Sequence, residues 1–252
     1  VIDLWFVFLL IIIGFIAGII NTLAGGGSNL TIPALMVLGM PADVANATNR
    51  VGVLLQSLSG IAGFKKYDKL PTDDLPAILG LTVLGGLFGA AAALIIPPET
   101  LKYVLLGSMI AMALIMIFSP TLIIPEINTT PKLVRSTRNS WPVLFIAGFY
   151  GGLIQAGVGF ILLLALAGSL RYDLVRANAL KLVCTLAFTA TSLAIFIYQD
   201  LILWQPGLAL ALGNIIGAWL AVKIAITIDP RIMKILLLIM TALAAAAVLY
   251  FD

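Results

Sequence analysis

Residues 14–28 read Gly-Phe-Ile-Ala-Gly-Ile-Ile-Asn-Thr-Leu-Ala-Gly-Gly-Gly-Ser. A long apolar run carries no charge, gathers small residues on its way, and then breaks on three consecutive glycines. A helix cannot continue easily through such a tip, because glycine gains most from leaving regular structure. The stretch therefore reads as a membrane helix that stops and turns back.

The same phrase returns in the second half of the chain. Gly14-Phe15-Ile16-Ala17-Gly18 is echoed by Gly148-Phe149-Tyr150-Gly151-Gly152, and Ala24-Gly25-Gly26-Gly27 by Ala156-Gly157-Val158-Gly159. Ala45-Asn46-Ala47 is matched by Ala177-Asn178-Ala179, Asp68 by Asp200, and Pro98 to Lys102 by Pro230 to Lys234, most of them at an offset of 132. Repetition on this scale in an apolar chain marks a transporter built from two related halves.

Composition sets the medium. Of the 252 residues 62% are hydrophobic and 10% charged, and the mean hydropathy is +1.17, far from soluble domains. The chain reads as an all-α integral membrane protein. The formal charge of +3 does not indicate nucleic acid, since the basic residues gather in short loops beside apolar runs. One cysteine, Cys184, and no histidine leave neither an internal disulfide nor a Cys/His metal site, and no cofactor is expected. The first 24 residues lack a basic start and carry the repeat motif, so they are expected to belong to the fold.

Apolar runs fall at 4–24, 29–39, 44–64, 75–96, 101–119, 142–156, 160–170, 174–198, 205–227 and 232–251. A crossing helix needs about 20 residues. The runs 29–39, 142–156 and 160–170 are too short, and each belongs to a pair broken at Gly25-Gly26-Gly27 or Gly157-Val158-Gly159. Each pair is expected to form a helical hairpin whose tip lies within the membrane, with helices restarting near Ser28 and near Phe160. Lys65, Lys66 and Lys69, then Lys132, Arg135 and Arg138, mark cytoplasmic loops, whereas the loop at Pro41 and that at Gln199–Leu203 carry no Lys or Arg. This places a first transmembrane repeat at 1–124, a cytoplasmic linker at 125–141 and a second repeat at 142–252. The two repeats have inverted topology, each a glycine-broken hairpin plus three transmembrane helices.

Gly85 with Gly89, and Gly213 with Gly217, form one small-residue stripe per half, which reads as close helix packing.

Two cations stand inside the spans. Arg50 lies about two turns into the run from Val44, and Lys181 lies at nearly matching depth in the run from Leu174. They could snorkel to an interface or donate to helix carbonyls. Against this, Asp43, Asp68, Asp73, Asp74, Glu99, Asp173, Asp200 and Asp229 all map to ends or loops, so an anion is the expected counter-charge. The glycine tips point the same way, because helices starting there present unsatisfied N–H groups at the positive end of the dipole. Candidate substrate-binding residues are therefore Asn21, Gly25, Gly26, Gly27, Ser28, Asn46, Asn49 and Arg50 in the first half, and Gln155, Gly157, Gly159, Asn178 and Lys181 in the second. Asn46 and Asn178 stand out as oxyanion donors or supports of the tips, while Gln56 and Thr189 read as staples between helices.

At these residues the chain resembles the sulfite exporter TauE/SafE family, also called TSUP transporters. The resemblance is carried by Gly14 to Ser28, Pro33, Ala45-Asn46-Ala47-Thr48, Gly151-Gly152 through Gly157-Val158-Gly159, and Ala177-Asn178-Ala179-Leu180-Lys181. It implies a multi-pass transporter of a bacterial-type inner membrane that moves sulfite or small organosulfonates such as sulfoacetate, with export as the expected direction. The expected partners are a small anionic substrate and the lipid bilayer. An anion channel is the alternative. A membrane enzyme on an anionic lipid-linked substrate is a more distant one, because no nucleophile or general base stands beside the cations.

Overall fold

The computed structural model of the chain describes residues 4–118 and 130–228, and every regular element among them is helical. In order these are α1 (Leu4–Leu23), α2 (Ser28–Val37), α3 (Ala42–Lys66), α4 (Leu75–Ile95), α5 (Pro98–Phe118), α6 (Ser140–Leu153), α7 (Val158–Leu163), α8 (Leu174–Tyr198) and α9 (Trp204–Thr227). A one-turn 3-10 helix, Val134–Ser136, precedes α6, and α7 runs on as a π-helical stretch, Leu164–Ser169. Among the described residues α1, α4, α8 and α9 are long and apolar enough to cross a membrane. The last expected span, 232–251, the repeat counterpart of Pro98 to Lys102 at Pro230 to Lys234, and the first part of the expected linker lie outside the described residues.

The breaks fall at the glycines. Helix α1 ends at Leu23 and α2 begins at Ser28, as the sequence suggests, whereas α7 begins at Val158 rather than near Phe160. The earlier start follows from Gly157, which takes a left-handed φ of 71° and turns the chain within one residue. Helix α2 folds back beside α1, so closely that a Cβ on Gly27 would overlap the Ala17 carbonyl and stand 2.6 Å from the Asn21 Cβ. The apolar cluster holding Leu10 of α1 also holds Ile32 and Leu35 of α2.

The two halves pack by exchange. Helix α1 lies along α9, and α6 lies along α4, with α3 and α8 crossing between them. Small residues make this possible. Gly14 and Gly18 of α1 sit on the backbone of Leu210 and Asn214, and Gly148 and Gly152 of α6 sit on that of Thr82 and Gly86. Reciprocally, Gly213 and Gly217 receive Ile11 and Phe15, and Gly85 and Gly89 receive Phe145 and Phe149. Every contact of one pair thus has a counterpart in the other, and both stripes have backbone directly against them, as packing requires. A methyl group at any of these eight positions would meet a backbone atom.

Apolar side chains cover the outside. Phe88 and Leu84 of α4 and Leu212, Ile216 and Trp219 of α9 are more than half exposed. In water such a surface would be a liability, but it suits contact with acyl chains.

The loop of Lys65, Lys66 and Lys69 and the segment of Lys132 and Arg135 meet at one end of the bundle. There Val134 N–H donates to the Asp74 carboxylate at 2.5 Å, Lys132 N–H donates to the Leu170 carbonyl, and Trp141 Nε1 donates to the Val134 carbonyl. Leu70, at the end reached by Lys65, Lys66 and Lys69, packs on the cluster containing Val134, Leu170 and Tyr172. Burial, with Asp74 and Asp73 nearby, raises the Tyr172 phenol above its usual range. The other end holds the turn at Gly39–Pro41 and the turn at Gln199–Leu203, tied to α3 where Leu203 N–H donates to Thr48 Oγ1.

Candidate functional site at the interface of the halves

The two hairpin tips touch. Gly25, with φ of 95°, lies against the backbone of Gly159, and Gly26 rests on the Phe160 ring. Glycine is required here by space and by backbone angle together, since a Cβ on either Gly25 or Gly159 would overlap the other's Cα.

Immediately behind each tip stands a cation from the opposite half. The Arg50 guanidinium of α3 donates through Nη1 to the Gly151 carbonyl at 3.0 Å and to Gln155 Oε1 at 2.8 Å, and through Nη2 to the Gly152 carbonyl at 2.6 Å. The Lys181 ammonium of α8 donates to the carbonyls of Asn21 at 2.8 Å and Thr22 at 3.0 Å, and to Asn178 Oδ1 at 2.6 Å. Both cations are fully enclosed, at 0% and 1% exposure. Each one therefore caps the carbonyl end of a half-length or broken helix, where the helix dipole is negative. Of the routes open to buried cations, donation to helix carbonyls is the one observed, and no carboxylate among the described residues reaches either of them.

The polar residues around them divide by role. Asn49 Nδ2 donates to Ser28 Oγ at 3.0 Å, and Thr31 Oγ1 donates to Asn49 Oδ1 at 2.5 Å, so Asn49 orients the first turn of α2. Asn46 Nδ2 donates to the Leu153 carbonyl at 2.9 Å, while its Oδ1 has no partner among the described residues. Asn178 turns its oxygen to Lys181 and leaves Nδ2 without one. The two asparagines, equivalent in sequence, thus use opposite ends of their amides. Asn21 Nδ2 donates to Gln56 Oε1 and Gln56 Nε2 to Thr22 Oγ1, while Gln155 Nε2 donates to Thr189 Oγ1. Gln56 joins α3 to α1, whereas Thr189 ties α8 to the turn of the second tip, and the amides they hold belong to the same residues that abut the cations.

Arg50 has one nitrogen without a partner. Its Nε has no partner among the described residues, and the Phe196 ring of α8 covers the guanidinium with its centroid 4.9 Å from Cζ. Sequence reasoning did not single out Phe196. Its signal was present, for Phe64 stands at the repeat offset from it and both are buried. Asn214 was also passed over, though its buried side chain fills the space facing Gly52.

Gly25, Gly26 and Gly159 lie at the contact of the tips, Gly27 packs on Ala17 and Asn21, and Gly157 makes the left-handed turn of the second tip. Ser28 and Asn49 are joined behind the first tip, Gln155 is held by Arg50, and Lys181 is joined to Asn21 and Asn178. The model of the family described as Sulfite exporter TauE/SafE matches residues 10–248. The chain belongs to the TauE/SafE family. Among its relatives, a probable membrane transporter protein of Haemophilus influenzae is 30% identical over 244 residues, which is 96% of this chain and 94% of the relative. The probable membrane transporter protein ORF9 of a Sinorhizobium species is 28% identical over 95% of this chain and 91% of its own length. The probable membrane transporter protein YfcA of Escherichia coli K12 is 25% identical over 96% and 88%. This TauE/SafE protein is accordingly a membrane transporter, and its relatives are named as transporters rather than as enzymes.

Proposed function

We propose that this protein is a secondary transporter of small sulfur-containing anions, sulfite or an organosulfonate such as sulfoacetate, working by alternating access in a bacterial inner membrane. The observation that carries the reading is the pair of buried cations at the seam of the halves. Their carbonyl partners satisfy hydrogen bonds but supply only fractional negative charge, about half a unit per helix end. A dianion or monoanion placed between the tips and Arg50 would complete the neutralisation, using the open Nε of Arg50 and the unpartnered Nδ2 of Asn178.

The halves are read as inverted in the membrane, since the reciprocal packing of α1 on α9 and α6 on α4 fits a pseudo-twofold axis in the membrane plane. The basic end, with Lys65, Lys66, Lys69, Lys132 and Arg135, would face the cytoplasm. The close contact of Gly25 with Gly159 brings the tips together, which favours a carrier over an open channel.

The test is a thermal-shift series on purified protein with sulfite, sulfate, thiosulfate, sulfoacetate and taurine, followed by transport in inside-out vesicles. Sulfite or sulfoacetate should raise the melting temperature, with a stabilisation of about 2.7 kcal/mol at a hundredfold excess over Kd. Taurine should act more weakly, because its ammonium group would face Arg50 and Lys181. Export predicts accumulation inside the inverted vesicles. Stabilisation by taurine alone, or by none of the anions, would refute the substrate class.

A further inference from the structure

At the end of the bundle away from the basic loops, a cavity of about 360 Å³ opens beside Asp43, Asn46, Phe196 and Gln199. Its volume suits a small oxyanion with some water. Asn46 lies one helical turn before Arg50 on α3, and Phe196 both lines the cavity and covers the guanidinium. Ring and amide are therefore what stand between the cavity and the cation. Phe196 is only 2% exposed, so the ring is wedged rather than draped.

Resting on the transport reading above, we propose that Phe196 is the gate residue of this side, and that an anion reaches Arg50 only when the ring swings off it. The chemistry suits an exchange. A face-on aromatic ring holds a desolvated guanidinium more weakly than an oxyanion with charge-assisted hydrogen bonds does. A competing ligand can thus displace the ring without having to break a strong pair.

The backbone below the ring stays fixed. The Phe196 carbonyl accepts from Leu201 N–H at 3.1 Å in a turn closed by Asp200 at φ 54°, so the movement falls to the side chain. Phe64 occupies the same position in the first half: its carbonyl accepts from Lys69 N–H at 3.0 Å, Asp68 also has φ 54°, and its side chain is fully buried. The two ends of the bundle thus carry a buried phenylalanine on the same turn.

Reaction of engineered thiols tests the gate without requiring the transported anion to be known. In a Cys184→Ser background, Thr189→Cys places a thiol on α8 about 10 Å deeper than Phe196, beside Gln155. A membrane-impermeant methanethiosulfonate applied to the cavity side should label it at least tenfold faster when Phe196→Ala is added. Ala93→Cys, at the cavity wall, should label at the same rate with either residue at 196. Equal labelling of Thr189→Cys with and without the ring overturns the proposal. Should Phe196→Ala fail to fold, Phe196→Leu is expected to give an intermediate rate and an unchanged one overturns it equally. Loss of anion response in the thermal series would remove the substrate reading while leaving the labelling result interpretable.

Discussion

Arg50→Ala is expected to abolish anion-dependent stabilisation and to lower transport by more than about a hundredfold. Each charge-assisted hydrogen bond contributes roughly 1.5–3 kcal/mol, and tenfold in affinity is about 1.4 kcal/mol, so losing the bond from the open Nε together with the positive charge suffices. The substitution also strips Gly151, Gly152 and Gln155 of their donor, so some loss of stability accompanies it. Arg50→Lys separates the effects. One ammonium retains the charge but cannot span three acceptors and keep a donor free, so it should fold nearly as well and bind anions weakly. Binding by isothermal calorimetry on protein that elutes as a single peak is the measurement. Undiminished affinity for sulfite or sulfoacetate in Arg50→Ala would remove Arg50 from the site.

The largest structural effect is expected at the tip contact. Gly25→Ala forces a side chain into a left-handed backbone, worth about 1–2 kcal/mol, and drives its Cβ into Gly159, adding about 1–3 kcal/mol of overpacking. Gly39→Ala is the internal control. Gly39 has a similar φ of 86° with open space around it, so it incurs the backbone penalty alone. Thermal unfolding in detergent should therefore rank wild type above Gly39→Ala and Gly39→Ala well above Gly25→Ala. Equal melting temperatures for the two variants would mean that the tips do not bear on each other.

Much of this was legible in the chain. The glycine breaks located both hairpins, the runs at 75–96 and 174–198 anticipated α4 and α8 within a residue, and the stripes at Gly85/Gly89 and Gly213/Gly217 announced close packing. Those features are local, written in composition and spacing. The partners of the stripes were not local: nothing near Gly213 says that Phe15 will lie on it, because the pairing depends on how the halves exchange helices. The same holds for the cations. Their depth and lack of nearby carboxylates could be read directly, but their carbonyl partners lie 101 to 160 residues away and are backbone atoms, which sequence does not distinguish. Phe196 escaped notice because an aromatic residue in an apolar run looks like packing until a guanidinium is found beneath it.

The exchange of helices between halves sets a schedule for synthesis. Helix α1 leaves the ribosome well before α9, yet the residues that cover Gly14 and Gly18 are in α9, roughly 200 positions later. At 5–20 residues per second the small-residue face of α1 waits about 10–40 s in the bilayer before its partner exists. During that interval the face must be held by lipid, by the insertion machinery or by the rest of its own hairpin. A chain stalled before Trp204 would carry an unpaired groove into the membrane, and quality control could recognise an incomplete transporter by that groove.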